Sequence, residues 1–389
     1  MIAKLEIDLG AIARNVAALG GLAAPARYAA VVKADAYGHG AIEVARALAP
    51  NVAMFCVYRL DEAVALRAAG IATPILVLGP VESHDLAALV ESRAAVALWS
   101  TGGFVRDLGR AARASGRRAP VHVKIDTGVT RLGLDVRRAP AALARYEDDD
   151  ALDVRGVFTH LAAAEELESA YTHAQLERFA AATASSRDRF AARGVVAHAA
   201  ASAAAMLYPQ ARLDMIRAGI ATYGIWPSPQ TEAAASPLLT LEPALAWSTK
   251  LVVVRDVEAG RSVGYGCSFS TSRASRIGVL PIGYAEGLPR ALSGAGVALV
   301  RGTRVPFIGR VCMNMAFVDV TDVAHAEAGD TVTLIGTDGD ESISANDLAA
   351  RAGTIGYELL ARLPANIPRV YRRGRANAAI ASATSMVPS

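Results

Sequence analysis

Near residue 226 the rhythm of the chain changes, and that change points to two domains of unlike construction. Ahead of it, short apolar runs rich in β-branched residues alternate with longer Ala/Leu/Arg-rich stretches of helical spacing. The runs begin near Tyr28, Val52, Pro74, Ala94, Pro120, Val154, Val195 and Leu213. Strand and helix patterns in strict alternation are the signature of parallel βα units. Eight such runs predict an α/β fold whose N-terminal part, residues 1–235, is a (β/α)8 TIM barrel, with a doubly wound sheet as the alternative arrangement of the same units. The first few residues are also free to pack with the second domain.

Behind the break the pattern is different. WPSPQTEAAASP, residues 226–237, interrupts the alternation with three prolines and reads as a linker. From about Leu238, Val/Ile/Thr-rich runs follow one another with Gly and Asp between them, which predicts a mainly antiparallel β-domain over residues 236–376. One helix is expected there, SANDLAARAGTIGYELLARLP, opening at a Ser344 or Asn346 cap. Residues 377–389 are small and polar without helical spacing, as a flexible tail would be.

Charge and cysteine usage narrow the function classes. Forty basic and 37 acidic residues leave a formal +3, so no global field calls for nucleic acid or an anionic membrane surface as partner. Three cysteines without C-x-x-C spacing fit neither a zinc site nor a disulfide framework, and no metal is expected. Glu6 and Asp8 fall where a secretory signal needs an apolar core, and no membrane-spanning stretch follows, so a cytoplasmic protein is expected. Of the 40 basic residues only Lys4, Lys33, Lys124 and Lys250 are lysines. Arginine stays protonated in proteins, so any amine chemistry must come from these four.

Barrel enzymes take their catalytic groups from the C-terminal ends of strands. Here those ends carry Lys33, Lys124, Asp126, His160, His198 and Arg217, a basic and imidazole-rich rim suited to an anionic ligand. Lys33 stands between an apolar strand and a Gly-containing turn. Burial there would lower its amine toward neutrality and make it a nucleophile able to form a Schiff base; the plainer alternative is a lysine that extends to solvent at the rim. After the eighth run, the amides of Gly219 and Ile220, with Ser202, could meet a phosphate, or the glycine could simply permit a tight turn.

The string VVKADAYGHG around Lys33 resembles the pyridoxal-phosphate lysine motif of the alanine racemase family. KIDTGVTRLG, THLAAAEE, HAAASAA, MIRAGIATYG, VGYGCSFST, IGYAEGLPR, GRVCMNM and GTIGYELLARLP resemble further family segments in the same order across nearly the whole chain. The resemblance implies a fold-type III enzyme, a barrel followed by a β-domain, that interconverts L- and D-alanine with pyridoxal 5'-phosphate and supplies D-alanine for peptidoglycan. It implies a homodimer with shared active sites. A serine or broad-range amino-acid racemase is the alternative on the same scaffold, and a non-catalytic pyridoxal-phosphate carrier a third reading, against which the β-domain and the tyrosine motif argue.

Carried onto this sequence, the resemblance makes Lys33 the cofactor-bearing lysine and the base for the D-enantiomer, with Tyr265 the base for the L-enantiomer. A phenol ordinarily titrates near 10, so one working at neutral pH needs help from a nearby positive charge or hydrogen bond. Cofactor contacts are implied for Tyr37, Ser202, Tyr357 and the amides of Gly219 and Ile220 at the phosphate, for His160 beside the ring, and for Arg217 at the pyridine nitrogen. Arg131 is implied at the phenolic oxygen and the substrate carboxylate, held by Lys124 in carbamylated form. Met313 is expected to offer its backbone amide to that carboxylate from the second subunit, with Tyr284 and Arg290 along the access passage. Ala201, Asn314, Met315 and Thr130 depart from the family pattern, where Asn, Asp, Gln and Gly are usual.

Overall fold

The computed structural model describes residues 3–373, and the chain divides into two compact units, one of Asn15–Leu241 and one of Met1–Arg14 with Glu242–Ser389. The flexible tail expected at 377–389 lies outside the described residues.

In the first unit each of the eight expected runs holds one strand: Arg27–Val31, Met54–Val57, Ile75–Val77, Ala95–Leu98, Ala119–Asp126, Leu152–Phe158, Val196–His198 and Met215–Ala218. They pair in parallel and in sequence order, with Met215–Ala218 returning beside Arg27–Val31. The last gap, between Val196–His198 and Met215–Ala218, is bridged by irregular backbone bonds. Arg217 N donates to Ala200 O at 2.9 Å and Asp214 N to Ala197 O at 3.1 Å. The result is a nearly closed barrel with helices outside. Ala95–Leu98 and Met215–Ala218 are buried at every position, as strands covered on both faces must be, which is why they read as unbroken apolar runs. The outer helix Gly103–Ala114 buries Val105, Leu108, Gly109 and Ala112, one stripe at three- and four-residue spacing.

The stretch expected as an irregular linker instead contains a helix, Pro229–Ala235, within this first unit. Ser228 accepts a hydrogen bond from Thr231 N at 3.2 Å and Pro229 occupies the first turn. Ser-Pro is a helix-start pair, with cap and preset φ, before it is a breaker.

The second unit is built on a ten-stranded sheet, mostly antiparallel. Its N-terminal strand, Lys4–Asp8, lies between Leu245–Lys250, antiparallel, and Arg369–Arg372, parallel. The first described strand therefore belongs with the last described one, Arg369–Arg372, rather than with the barrel that follows it. Trp247 and Phe307 are among the largest side chains closed off from solvent there. The single helix expected after Ser344 is two, Ala345–Arg351 and Gly356–Ala361. Ser344 does cap the first, accepting from Asp347 N at 3.0 Å. Gly353 at φ +70° takes the chain out of the helical region and ends it.

Candidate active site

In the barrel unit, Lys33 follows its strand directly and opens a turn of unusual hand. Ala34, Asp35, Ala36 and Tyr37 have φ of 54°, 52°, 55° and 54°. Left-handed helical backbone costs an L-residue roughly 1–2 kcal/mol, so four in succession need firm support. Glu62 Oε1 accepts from Ala34 N at 2.7 Å, and Asp35 Oδ1 accepts from Ala41 N at 2.8 Å. Ala36 N donates to Val32 O at 2.9 Å and Gly38 N to Ala34 O at 3.0 Å. Strain of this kind is maintained where it positions chemistry. It sets the Lys33 amine partly buried, and burial, followed by the charge of Arg131, lowers that amine below the ordinary lysine value.

Tyr37, at the end of the turn, lies against Gly219. A Cβ at residue 219 would overlap the Tyr37 hydroxyl, so any larger residue there must displace that side chain. Ser202 Oγ accepts from Gly219 N at 3.1 Å and from Ala221 N at 3.3 Å. Between them the Ile220 N–H has no acceptor among the described residues. Successive amides converging at the start of the turn Ile220–Tyr223 form an anion-binding concavity.

Arg217 is buried, with 5% of its surface exposed. It donates to Thr159 O at 2.9 Å and Ala199 O at 3.1 Å, and its Nη1 lies 2.7 Å from His198 Nδ1. A guanidinium only donates, so His198 accepts on Nδ1 and carries its proton on Nε2. That proton faces His122 Nδ1 at 2.8 Å. His122 is thereby forced to carry its own proton on Nε2, which has no partner among the described residues. Burial, then the charge of Arg217, pushes His122 down to about 3, and His198 also falls well below the ordinary imidazole value, so both rings are neutral. Burial brings Arg217 down to about 10, which still leaves it charged near neutrality. Phe158 floors the group, its ring stacked on His198 at 4.8 Å with Arg217 5.1 Å above it.

Sequence reasoning placed His198 on the rim without a partner and missed His122. A signal existed. His122 stands two residues before Lys124 on one strand, so both point to the same face. Gly156 lies opposite, where a Cβ would overlap the His122 ring.

Lys124, Arg131 and His160 belong to the same rim. Lys124 is pushed down to about 8, first by burial and then by the charges of Arg131 and Arg217. Burial, then Arg217 and Arg131, brings His160 down to about 3, leaving a neutral ring. The plain alternative for Lys124, an ion pair with Asp126, is not what Asp126 is used for. Its Oδ1 accepts from Gly128 N at 2.9 Å, Val129 N at 2.9 Å and Thr130 N at 3.1 Å, and its Oδ2 from Arg131 N at 3.2 Å. The loop bearing Arg131 is wound around that carboxylate, with Thr130 at φ +57°.

The second unit holds the remaining residues. Tyr265, Tyr284, Arg290, Met313 and Asn314 line one open cavity of about 820 Å³. Tyr265 is 73% exposed and Met313 57%. Arg310, which the sequence reading did not single out, lines the cavity too, its guanidinium 3.0 Å from where a Cβ on Gly266 would stand, beside Tyr265. The Met313 N–H has no acceptor among the described residues. Tyr357 stands on the helix Gly356–Ala361 and is not among that cavity's lining residues. A phenol, arginines and an exposed backbone donor suit a small carboxylate and a proton at the same place.

Among the described residues, no group of His, Cys, Asp and Glu is arranged to hold a metal ion, and no helix is long and apolar enough to cross a membrane. The family model for the alanine racemase N-terminal domain matches residues 7–227, and that for the C-terminal domain residues 244–371. An alanine racemase of Symbiobacterium thermophilum is 43% identical over 94% of this chain and 96% of its own length. One from Desulfosudis oleivorans is 41% identical over 96% of this chain and 97% of its own. Among solved structures, alanine racemase of Clostridium difficile superposes with a TM-score of 0.89 at 31% identity, covering 96% of each chain. That of Streptomyces coelicolor gives 0.88 at 36% identity, covering 95% of this chain and 98% of its own.

Proposed function

The chain belongs to the alanine racemase family, and from that premise we propose that it interconverts L- and D-alanine with pyridoxal 5'-phosphate held on Lys33 and one acid–base group on each face of the substrate. The observation that carries the reading is the Lys33 turn, which sets a depressed amine and Tyr37 together, with Tyr37 packed on the glycine of an anion cradle.

The residues fit the cofactor. The Gly219 and Ile220 amides, Ser202, Tyr37 and Tyr357 would take its phosphate. Arg217 would face the pyridine nitrogen, His160 would pack beside the ring, and Arg131 would reach the phenolic oxygen. When bound, the cofactor supplies an electron sink that acidifies the substrate α-carbon.

Everything else falls to the chain's own groups. Inversion needs a proton taken from one face and returned to the other, hence two groups. The Lys33 amine serves one face. Burial and the charge of Arg131 lower its affinity for protons, which favours the neutral form that a base needs. The Tyr265 hydroxyl, beside Arg310, serves the other. Arg217 can donate to a ring nitrogen but not protonate it, which restrains charge delocalisation and favours simple proton return. Arg131 and the Met313 N–H grip the substrate carboxylate, and Tyr284 and Arg290 border the access passage.

Lys124 as a carbamate would turn a cation crowded by Arg131 and Arg217 into an anion between them; its value of about 8 supplies the neutral amine that carbamylation requires. Tyr265, Tyr284, Met313 and Met315 expose a contiguous apolar surface of the kind that marks self-association, which supports a homodimer with shared sites. The product, D-alanine, would serve peptidoglycan synthesis in the cytoplasm.

The test is direct. Purified protein is incubated with L-alanine, D-alanine and serine, and products are separated by chiral chromatography. Borohydride reduction followed by peptide mapping should find the cofactor on Lys33. A label on another lysine, or no turnover of alanine by cofactor-loaded protein, overturns the reading.

A further inference from the structure

In the second unit, the turn that carries Tyr284 and the loop that carries Met313 are stitched backbone to backbone. Tyr284 N donates to Cys312 O at 3.1 Å, and Ala285 N to Met313 O at 2.9 Å. Cys312 N donates to Met315 O at 2.8 Å and closes the loop on itself. These bonds fix the base of the loop, while Met313 and Asn314 at its tip remain exposed. Among the described residues, one side chain is hydrogen-bonded to the side chains of that tip. Glu286 Oε2 accepts from Gly283 N at 2.9 Å, which closes its own turn, and its Oε1 accepts from Asn314 Nδ2 at 2.7 Å. Only the amide nitrogen of Asn314 can face a carboxylate, because an oxygen there would meet lone pairs with lone pairs. Residue 314 must therefore be a donor as long as residue 286 is a carboxylate.

We propose that Asn314 and Glu286 form a positioning latch that holds the Met313 N–H in place for the substrate carboxylate, with Tyr284 beside it at the passage, and so sets the affinity for alanine. The proposal rests on the racemase reading above, which makes this cavity the place where the carboxylate docks. Neither residue handles the protons that move. What the latch fixes is a grip on a carboxylate that is present before and during reaction, so its loss should weaken binding more than turnover. Asn314→Asp replaces a donor with a second anion at hydrogen-bonding distance and should drive the loop tip from the turn. The connectivity can be restored with the charge moved to the other side. With Glu286→Gln added, the Gln carbonyl still accepts the Gly283 N–H, and its amide donates to the carboxylate introduced at position 314.

The experiment uses the cofactor-loaded, full-length enzyme and three variants: Asn314→Asp, Glu286→Gln and the double. KM and kcat for L-alanine are measured alongside hydrogen–deuterium exchange of residues 283–288 and 311–315 in the absence of substrate. Asn314→Asp should raise KM roughly 10-fold or more while kcat moves by less than about 3-fold, and speed exchange in both segments. The double variant should return KM to within about 3-fold of the parent, a coupling that independent surface changes do not give. An unchanged KM in Asn314→Asp overturns the latch even if exchange rises, because the contact would then hold the loop without serving substrate. A double variant as impaired as Asn314→Asp overturns it as well. If the parent enzyme itself leaves alanine unturned, it is the racemase reading that falls, a result separate from either of these.

Discussion

The loop that presents Arg131 should be loosened by a single change at Asp126. In Asp126→Asn the amide oxygen can keep the three N–H groups of Gly128, Val129 and Thr130, which now converge on Oδ1. The NH2 then occupies the place of Oδ2 and confronts the Arg131 N–H donor with donor. A donor left without its acceptor costs about 1–3 kcal/mol, and the exposure of this loop to water places the loss at the lower end, about 1–2 kcal/mol. That is a factor of roughly 5–30 in the population of the ordered loop, and the same factor is expected in kcat/KM for alanine if Arg131 must be in place to bind the carboxylate.

Asp126 also gives the acid limb of the effect. Burial alone would raise this carboxyl, but the four backbone N–H groups together outweigh it and hold it below the ordinary carboxylate value. A group depressed in the folded state contributes stability that is present above its unfolded pKa of about 4 and is lost as pH falls through its lower folded value. The parent protein should therefore shed loop protection in acid, and Asp126→Asn should lack that step. Hydrogen exchange of residues 128–131 between about pH 3 and 7, with kcat/KM for L-alanine at neutral pH, tests both. Parent-like exchange and kcat/KM in Asp126→Asn would refute the argument and mean that the loop is held from elsewhere.

Further outcomes follow from individual contacts. Gly219→Ala should drive Tyr37 out of its seat and weaken cofactor retention, read as faster loss of cofactor colour on dialysis, with a further cost because φ −110° and ψ −93° at 219 lie outside the regions that L-residues favour. Gly156→Ala forces a methyl into the His122 ring and should destabilise by about 1–3 kcal/mol, measured as a lowered urea midpoint with the slope unchanged. Tyr265→Phe should keep the cofactor bound yet stop α-proton exchange from L-alanine in deuterated buffer; full exchange in that variant would send the second base elsewhere.

How much of this was legible before folding depended on the range of the interaction. The eight barrel strands were read because burial on both faces leaves an apolar run in each segment, a local property. The Ser-Pro helix start and the break at Gly353 were equally local but were outvoted by composition, by proline content in one case and an unbroken helical period in the other. Lys33 emerged from scarcity, as one of four lysines, and from a motif that names it. The left-handed turn beyond it left no such trace, since alanine, aspartate and tyrosine do not advertise a positive φ. Contacts with groups outside the turn, Glu62 and Ala41 among them, help to impose it.

By itself, then, the sequence determined the two kinds of domain and the places of the eight barrel strands, and singled out the amine on which the proposed chemistry turns, because each is written in spacing or residue type within a short window. The tertiary structure alone decided the protonation of the barrel interior and the shape of the cavity proposed to grip a carboxylate. Arg217, His198 and His122 are far apart in the chain, and one arginine that can only donate dictates which nitrogen of each ring carries its proton. Such a choice arises only when folding brings donor and acceptor within about 3 Å of each other and keeps water out.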